Sequence, residues 1–440
     1  MTWVILLVCI FLVLADNKKI IPIYLITSMW INFDVRCGTI AFMSALSAFI
    51  ITLGLIKRRK NLVFKTDIDH LVRNYFLYAI FIYVPFIILS TDLEILTQLN
   101  YTKSQILSIF FLVIIWKWRA YNVRTMKKHG IYIYISIIIL CLYGIYTYVT
   151  QTNPYMDIMG QYCTNENLSE LLARSLEDAR GNLTGRITGT SLYTIQYGIL
   201  LTIVYFIHVS ISSLYKVGGM NLEPRTQIMM TIIVILILLN IYLTGSRGPL
   251  GALIIGYAYY LMRIYSWKKK ISYISILALF ILFAWPYLES YFALFTDKDV
   301  EGSSFEMRAV QFWGAYSMVS DNLQSLLFGK GLGYTAYYLE HYGKHPLAIN
   351  FESTHVAGIV NYGILGLLFI FLFNVLFLLN IAKKAHTKNL ISDKHFYLLI
   401  SLLITYLIYN FLVGDVYGAL FLVVYFLILK TGIVQKSRTT

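Results

Sequence analysis

The sequence predicts an all-α polytopic membrane protein, and three observations carry that prediction. The chain of 440 residues is 58% hydrophobic and 13% charged, with 7 prolines, and its mean hydropathy is +0.68. A soluble domain of this length has too little interior to hide such a share of apolar surface, whereas lipid makes no such demand. The apolar residues gather in runs close to the roughly 17–25 residues that a spanning helix needs. Between them, basic connectors alternate with connectors poor in lysine and arginine, the pattern of a chain that keeps its cations on the cytoplasmic side.

The runs are 2–15, 20–33, 38–56, 74–90, 105–116, 131–149, 194–214, 228–244, 249–264, 272–292, 356–380, 396–412 and 416–430. Read as crossings, they make about 12 or 13. The first lacks the basic leader and small-residue cleavage site of a signal peptide, so it and the second are read as short retained spans. The cations sit at 57–60 (KRRK), at Lys117 to Lys128, at Lys268 to Lys270, at Lys383 to Lys388 and at Lys436 and Arg438. This places the C-terminus in the cytoplasm. The SRG turn, 91–104, 150–193 and 293–355 then face outward. The chain divides into N-terminal spans (1–149), a first long outer loop (150–193), central spans (194–292), a second long outer loop (293–355) and C-terminal spans with a tail (356–440).

The net charge of +14 therefore reports topology, not a nucleic-acid surface. In 150–193, five carboxylates outnumber three arginines. Cys9, Cys37, Cys141 and Cys163 have neither metal-ligand nor redox spacing, and no cofactor or metal is expected. No internal repeat and no inverted pair of broken helices points to a transporter.

Both long loops carry helix signals. Asn167 with Glu170 can open a helix that Gly181 ends, and Leu168, Leu171, Leu172, Leu176 and Ala179 share one face, which suits a membrane surface or the protein's own outer side. Ser303 and Glu306 form a capping box opening a helix from about 304 to 319, with Arg308 one turn before Phe312. FGKGLGY (328–334) follows, whose glycines let backbone pass close to a ligand or another chain. In NFESTHVAGIVNYGILG the chain re-enters the membrane, with Glu352 and His355 at the interface and Ser353 or Thr354 able to cap the new helix. Tyr334, Tyr337, Tyr338 and Tyr342 suit sugar stacking or an interfacial aromatic belt.

LTGSRGPLG (243–251) poses the sharpest question, because Arg247 is a permanent cation between two apolar runs. Ionisable residues in such places mark functional sites, and arginine is the side chain that grips phosphate with two parallel hydrogen bonds. Arg247, Arg308 and the loop residue Arg186 would hold a diphosphate, while Glu352 would take a proton from a hydroxyl nucleophile. That combination describes sugar transfer from a lipid diphosphate at the outer face.

The order of these motifs resembles the O-antigen ligase and polymerase superfamily of membrane glycosyltransferases. LTGSRGPLGALIIG is similar to its SRG segment, GRITGTSLYTIQYG to its Arg-x-x-Gly segment, and RAVQFWGAYSMV, GKGLG and GILG follow in the family's order. The likeness covers roughly 186–370; the N-terminal spans match in hydropathy alone. It implies a C-type (GT-C) architecture and an inverting, metal-independent transfer of a glycan from undecaprenyl diphosphate onto the non-reducing end of another lipid-linked repeat unit. On this likeness Arg247 and Arg308 contact the diphosphate, and Ser246, Arg186 and His355 belong to the substrate site. Ligases of the family place His eleven residues before the glycine corresponding to Gly363; here that position is Glu352. The departure favours a polymerase over a ligase that transfers to lipid A core, and His355 is the second candidate base. A lipid-linked sugar flippase is the rival from another class. The family further implies a bacterial inner membrane, an active site facing the periplasm and a chain-length regulator as partner.

Overall fold

The computed structural model describes residues 1–16, 19–31, 35–38, 40–57, 66–90, 92–117, 123–163, 186–215, 224–267, 271, 304–348, 350–351, 353–412 and 417–439. The expected surface helix at 167–181, the span at 272–292 and Glu352 lie outside the described residues, as do the side chains of the capping pair Ser303 and Glu306 and that of Arg247.

The chain is a multi-pass helical membrane protein. Its helices are α1 (Thr2–Ala15), α2 (Ile20–Trp30), α3 (Phe42–Lys57), α4 (Asp67–Phe81), α5 (Tyr83–Leu89), α6 (Ile95–Lys117), α7 (Val123–Thr150), α8 (Pro154–Met159), α9 (Thr194–Tyr215), α10 (Pro224–Leu243), α11 (Arg247–Ile264), α12 (Ser304–Val319), α13 (Leu323–Phe328), α14 (Tyr334–Tyr342), α15 (Thr354–Gly366), α16 (Phe373–Thr387), α17 (Asp393–Leu412) and α18 (Gly418–Thr439). A π-helical turn, Leu367–Leu372, joins α15 to α16. Among the described residues the only sheet is a two-stranded one, β1 (Arg36–Cys37) with β2 (Ile40–Ala41).

Six helical stretches among the described residues are long and apolar enough to cross a membrane, and a seventh, bent by 49° between Ile95–Lys103 and Gln105–Trp116, joins them if counted as one span. Four shorter apolar helices, Thr2–Ala15, Ile20–Trp30, Phe42–Ile56 and Gly418–Ile433, fall below that length. At 14 residues, α1 reaches only about 21 Å, short of a hydrocarbon core of about 30 Å. Three glycines, three tyrosines and a proline dilute α11. The stretch 91–104, expected as a connector, is helical from Ile95 onward. Phe11, Ile56 and Val149 stay more than two-thirds exposed, as lipid-facing positions do.

The interior is organised around α9, whose buried residues occupy every face and which packs against α7, α10, α11 and α18. Helices α11 and α17 approach closely because Gly256 has no side chain. A Cβ there would stand 2.0 Å from Thr405 Oγ1 and 2.8 Å from the Ser401 carbonyl. Ser401 Oγ donates to the Gly256 carbonyl at 2.7 Å, and Thr405 Oγ1 to the Ala252 carbonyl at 3.3 Å. Small residues and hydroxyls are what hold helices together in lipid, where apolar burial gives no drive. At the end bearing the basic connectors, Trp116 Nε1 donates to Asp69 Oδ1 at 3.0 Å, and Lys430 Nζ stands 3.8 Å from the Trp116 ring centre. That cluster ties α4, α6 and α18 at the opposite end from the candidate site.

Candidate functional site

The SRG turn is built by its own neighbours. Gly245 has φ +59°, a conformation natural to glycine. Thr244 Oγ1 donates to the Ile241 carbonyl at 2.6 Å and accepts from the Ser246 amide at 3.1 Å. Arg186 then closes the turn from outside: Nε donates to the Thr244 carbonyl at 2.9 Å and Nη2 to Ser246 Oγ at 3.1 Å. Its stem lies where a side chain at Gly245 would be, for a Cβ there would stand 3.1 Å from Arg186 Cγ. The segment after Arg186 is fixed in turn. Asn153 Nδ2 donates to Thr188 Oγ1 and the Gly189 carbonyl, and Thr190 Oγ1 donates to the Met29 carbonyl.

Arg186, expected to touch substrate, thus spends two donors on the turn that presents Arg247. Arg247 is the first residue of α11, with Ser246 as its N-cap. The N-terminus of a helix carries partial positive charge.

A second group of residues meets at the C-terminal end of α17. Arg308 is 8% exposed and donates through Nη1 to Gln311 Oε1 at 2.6 Å. One turn on, the Phe312 ring lies 5.9 Å from Phe411. Phe411 lies 5.6 Å from the His355 ring, whose other neighbour is Phe371 at 4.4 Å. Ser353, not Thr354, caps α15: its Oγ accepts from the His355 amide at 3.2 Å and donates to the Phe411 carbonyl at 2.9 Å. Thr354 Oγ1 donates to Asn410 Oδ1 at 3.1 Å. The structure therefore brings His355 and the Arg308 helix to one end of α17, the helix locked to α11 and so to the SRG turn.

Gln311 Nε2, Asn410 Nδ2 and His355 Nδ1 are buried there without a hydrogen bond. A buried donor left unsatisfied costs about 1–3 kcal/mol. An oxygen-rich ligand would relieve that cost. Neither amide stands out in the sequence, since hydrophobic periodicity carries no information about a polar residue inside a helix.

The glycines of FGKGLGY serve the chain itself. A Cβ at Gly329 would lie 2.5 Å from Asn361 C and Tyr362 N, and one at Gly363 would lie 2.4 Å from Leu327 C and 2.6 Å from the Gly329 amide. The two glycines let α13 and α15 cross backbone to backbone. The Lys330 amide donates to the Val360 carbonyl at 2.8 Å, and Asn361 Oδ1 accepts from the Thr335 amide at 2.9 Å. On the other side, Lys330 Nζ bonds Asp92 Oδ2 at 2.7 Å and the Leu332 amide donates to Gln98 Oε1 at 3.0 Å. Asp92 holds the Lys330 ammonium above its ordinary pKa although burial pulls the other way. The tyrosines that follow pack on one another and on Phe351, His341 and Tyr101, while Tyr342 stays 66% exposed.

A pH-sensitive turn closes this outer layer. His345 Nδ1 accepts from the Leu347 amide at 3.2 Å and the Ala348 amide at 2.9 Å, and burial holds the imidazole below its usual pKa. Because the folded value is depressed, the neutral ring's contribution is complete above the unfolded value, about 6.5. It is lost as pH falls toward the folded value. Hydrogen exchange at the Leu347 and Ala348 amides should quicken between pH 7.5 and 5.5 beyond the intrinsic change, and His345→Ala should abolish the difference. Equal protection at both pH values in the native protein would remove His345 from this role.

Neither the known protein families nor the curated proteins contain a match to this chain.

Proposed function

We propose that this protein is a membrane-embedded glycosyltransferase that polymerises a surface polysaccharide at the outer face of a bacterial inner membrane. Its donor is a glycan on undecaprenyl diphosphate and its acceptor the non-reducing sugar of another lipid-linked repeat unit. The observation that carries this reading is the SRG turn, held by Arg186 at the head of α11, together with the Arg308 helix and His355 at the end of the helix locked to α11.

The reaction asks little of the protein beyond placement and charge. The acceptor oxygen attacks the anomeric carbon from the face opposite the diphosphate, forming one C–O bond as the bond to the leaving oxygen breaks. The acceptor's proton passes to Glu352, and Arg247 with Arg308 stabilises the negative charge gathering on the diphosphate. Inversion at the anomeric carbon follows from the single displacement. His355, half-buried between Phe371 and Phe411, is the second candidate for the proton.

The test is surface-polysaccharide length in a strain lacking the gene, complemented with wild type, Glu352→Gln or Arg247→Ala. A null strain carrying single repeats, with the ladder restored by wild type and by neither variant, is the expected result. Long polymer left on undecaprenyl diphosphate beside bare lipid core would instead make the protein a ligase. Normal length and attachment in the null strain would end the glycosyltransferase reading and favour a transporter.

A further inference from the structure

A cavity of about 440 Å³ lies among α2, α3, α4, α6, α15 to α18 and the π-helical turn. That is the size of a small-molecule site, roughly 300–1,000 Å³. It reaches Thr354 at its outer end, beside Ser353 and His355, and Tyr417, whose hydroxyl shares a hydrogen bond with Ser191 in the segment after Arg186. Three features of its wall bear on what it holds.

The first is chemical. Among the described residues its lining contains no Asp, Glu, Lys, Arg or His; eight tyrosines, four serines, Thr354, Gln105 and Asn374 share it with aliphatic residues such as Ile109, Leu378 and Leu403. These residues offer a diphosphate no cation, and a buried anion without a cation or metal is very costly.

The second is in the backbone. The wall includes Leu367, Ile370 and Phe371 of the π-helical turn Leu367–Leu372, where the Thr354–Thr387 span departs from regular helix. Such irregular backbone at membrane depth persists where protein buries it or where it lines a polar cavity, and single π-turns gather at functional sites. The hydroxyl of Tyr78, itself in the wall, donates to the Phe369 carbonyl inside that turn.

The third is an unmet acceptor. Asn374 Oδ1, directly after the π-turn, is buried with no hydrogen-bond partner. A ligand hydroxyl supplies the missing donor.

Aromatic faces that cover C–H surfaces, many uncharged hydrogen-bonding groups and no charge are complementary to a sugar ring and not to its phosphate. We infer that this cavity binds uncharged sugar rings, receiving the neutral part of a glycan whose diphosphate stays with the cations at the outer end. The choice of sugar over other neutral polar ligands rests on the glycosyltransferase reading above.

The experiment is saturation-transfer difference NMR on the full-length protein in detergent, with methyl β-galactoside, methyl β-N-acetylglucosaminide and methyl α-mannoside as probes. Methyl β-glucuronide is the charged control, and Asn374→Leu and Ser47→Phe are the variants. At least one neutral glycoside should give a signal above empty micelles, and each variant should weaken it by about fivefold or more. The glucuronide should give none. No neutral signal in the wild-type protein overturns the assignment without any appeal to the variants, as does a signal that both folded variants retain. An equal response from the glucuronide overturns the uncharged class. The polysaccharide ladder separates this inference from the one beneath it: a ladder that depends on Arg247 while no glycoside binds sinks the cavity alone, whereas glycoside binding beside a normal null-strain ladder sinks the polymerase alone.

Discussion

Gly363→Ala should destabilise the folded protein by about 4–5 kcal/mol. At φ +68° and ψ −174° the residue sits in a region open essentially to glycine, where another residue costs about 1–3 kcal/mol. The added Cβ also falls 2.4 Å from Leu327 C and 2.5 Å from its carbonyl oxygen. These are backbone atoms of a crossing segment and cannot rotate aside. Together the two effects approach 4–5 kcal/mol, the exceptional end of single substitutions, against a net stability of about 5–15 kcal/mol for a typical protein. Gly343 provides the control. It has φ +77°, but an added Cβ would meet nothing within 4 Å, so Gly343→Ala should show the conformational cost alone. Gly251→Ala, with neither positive φ nor neighbours, should be harmless. Thermal melting of the detergent-solubilised proteins should rank them Gly251→Ala, Gly343→Ala, Gly363→Ala in order of increasing damage. A Gly363→Ala protein that melts like Gly343→Ala would mean that the crossing yields, and the interlock would lose its claim to stability.

If the protein is the polymerase proposed above, substitutions at Arg186 should abolish polymer while sparing the fold. The guanidinium makes two hydrogen bonds to the SRG turn from one rigid fork, and such bonds from a charged donor contribute about 1.5–3 kcal/mol each. Removing them frees the turn that carries Arg247, and a displacement near 1 Å in a reacting site costs about a hundredfold in rate. Arg186→Lys keeps the charge without the fork, so it should behave nearly as badly as Arg186→Ala, and Ser246→Ala, which removes one of the two acceptors, should be milder. Polysaccharide length and the amount of folded protein, measured together, check this. If Arg186→Lys supports a full ladder, charge alone suffices and the residue acts on the ligand and not on the turn.

Much of this was legible in the sequence where local signals are strong. The helix expected at about 304–319 runs Ser304–Val319, consistent with helix-start chemistry and periodicity acting within one segment. The SRG turn, the buried Arg308 one turn from Phe312 and the hydroxyl cap before His355 were read in the same way. What escaped the sequence depends on partners far away in the chain. The purpose of Gly329 cannot be seen without Asn361, nor that of Arg186 without Thr244. The amides Gln311 and Asn410 sit inside helices whose patterns they do not disturb. Hydropathy registers apolar runs and not whether α1 is long enough to span or where α6 begins.

The crossing of Gly329 and Gly363 also sets an order of assembly. The glycine loop touches Asp92, 238 residues earlier in the chain, through Lys330, and the Gly363 backbone, which is synthesised later. The early partner is in place long before the loop leaves the ribosome, whereas the late one arrives only when the next span is inserted. The contacts of the loop can therefore form first on the Asp92 side, and those with the Gly363 backbone only after α15 is made. A chain stalled before that helix would show the loop docked on one flank and bare on the other, a marker that quality-control proteases can read.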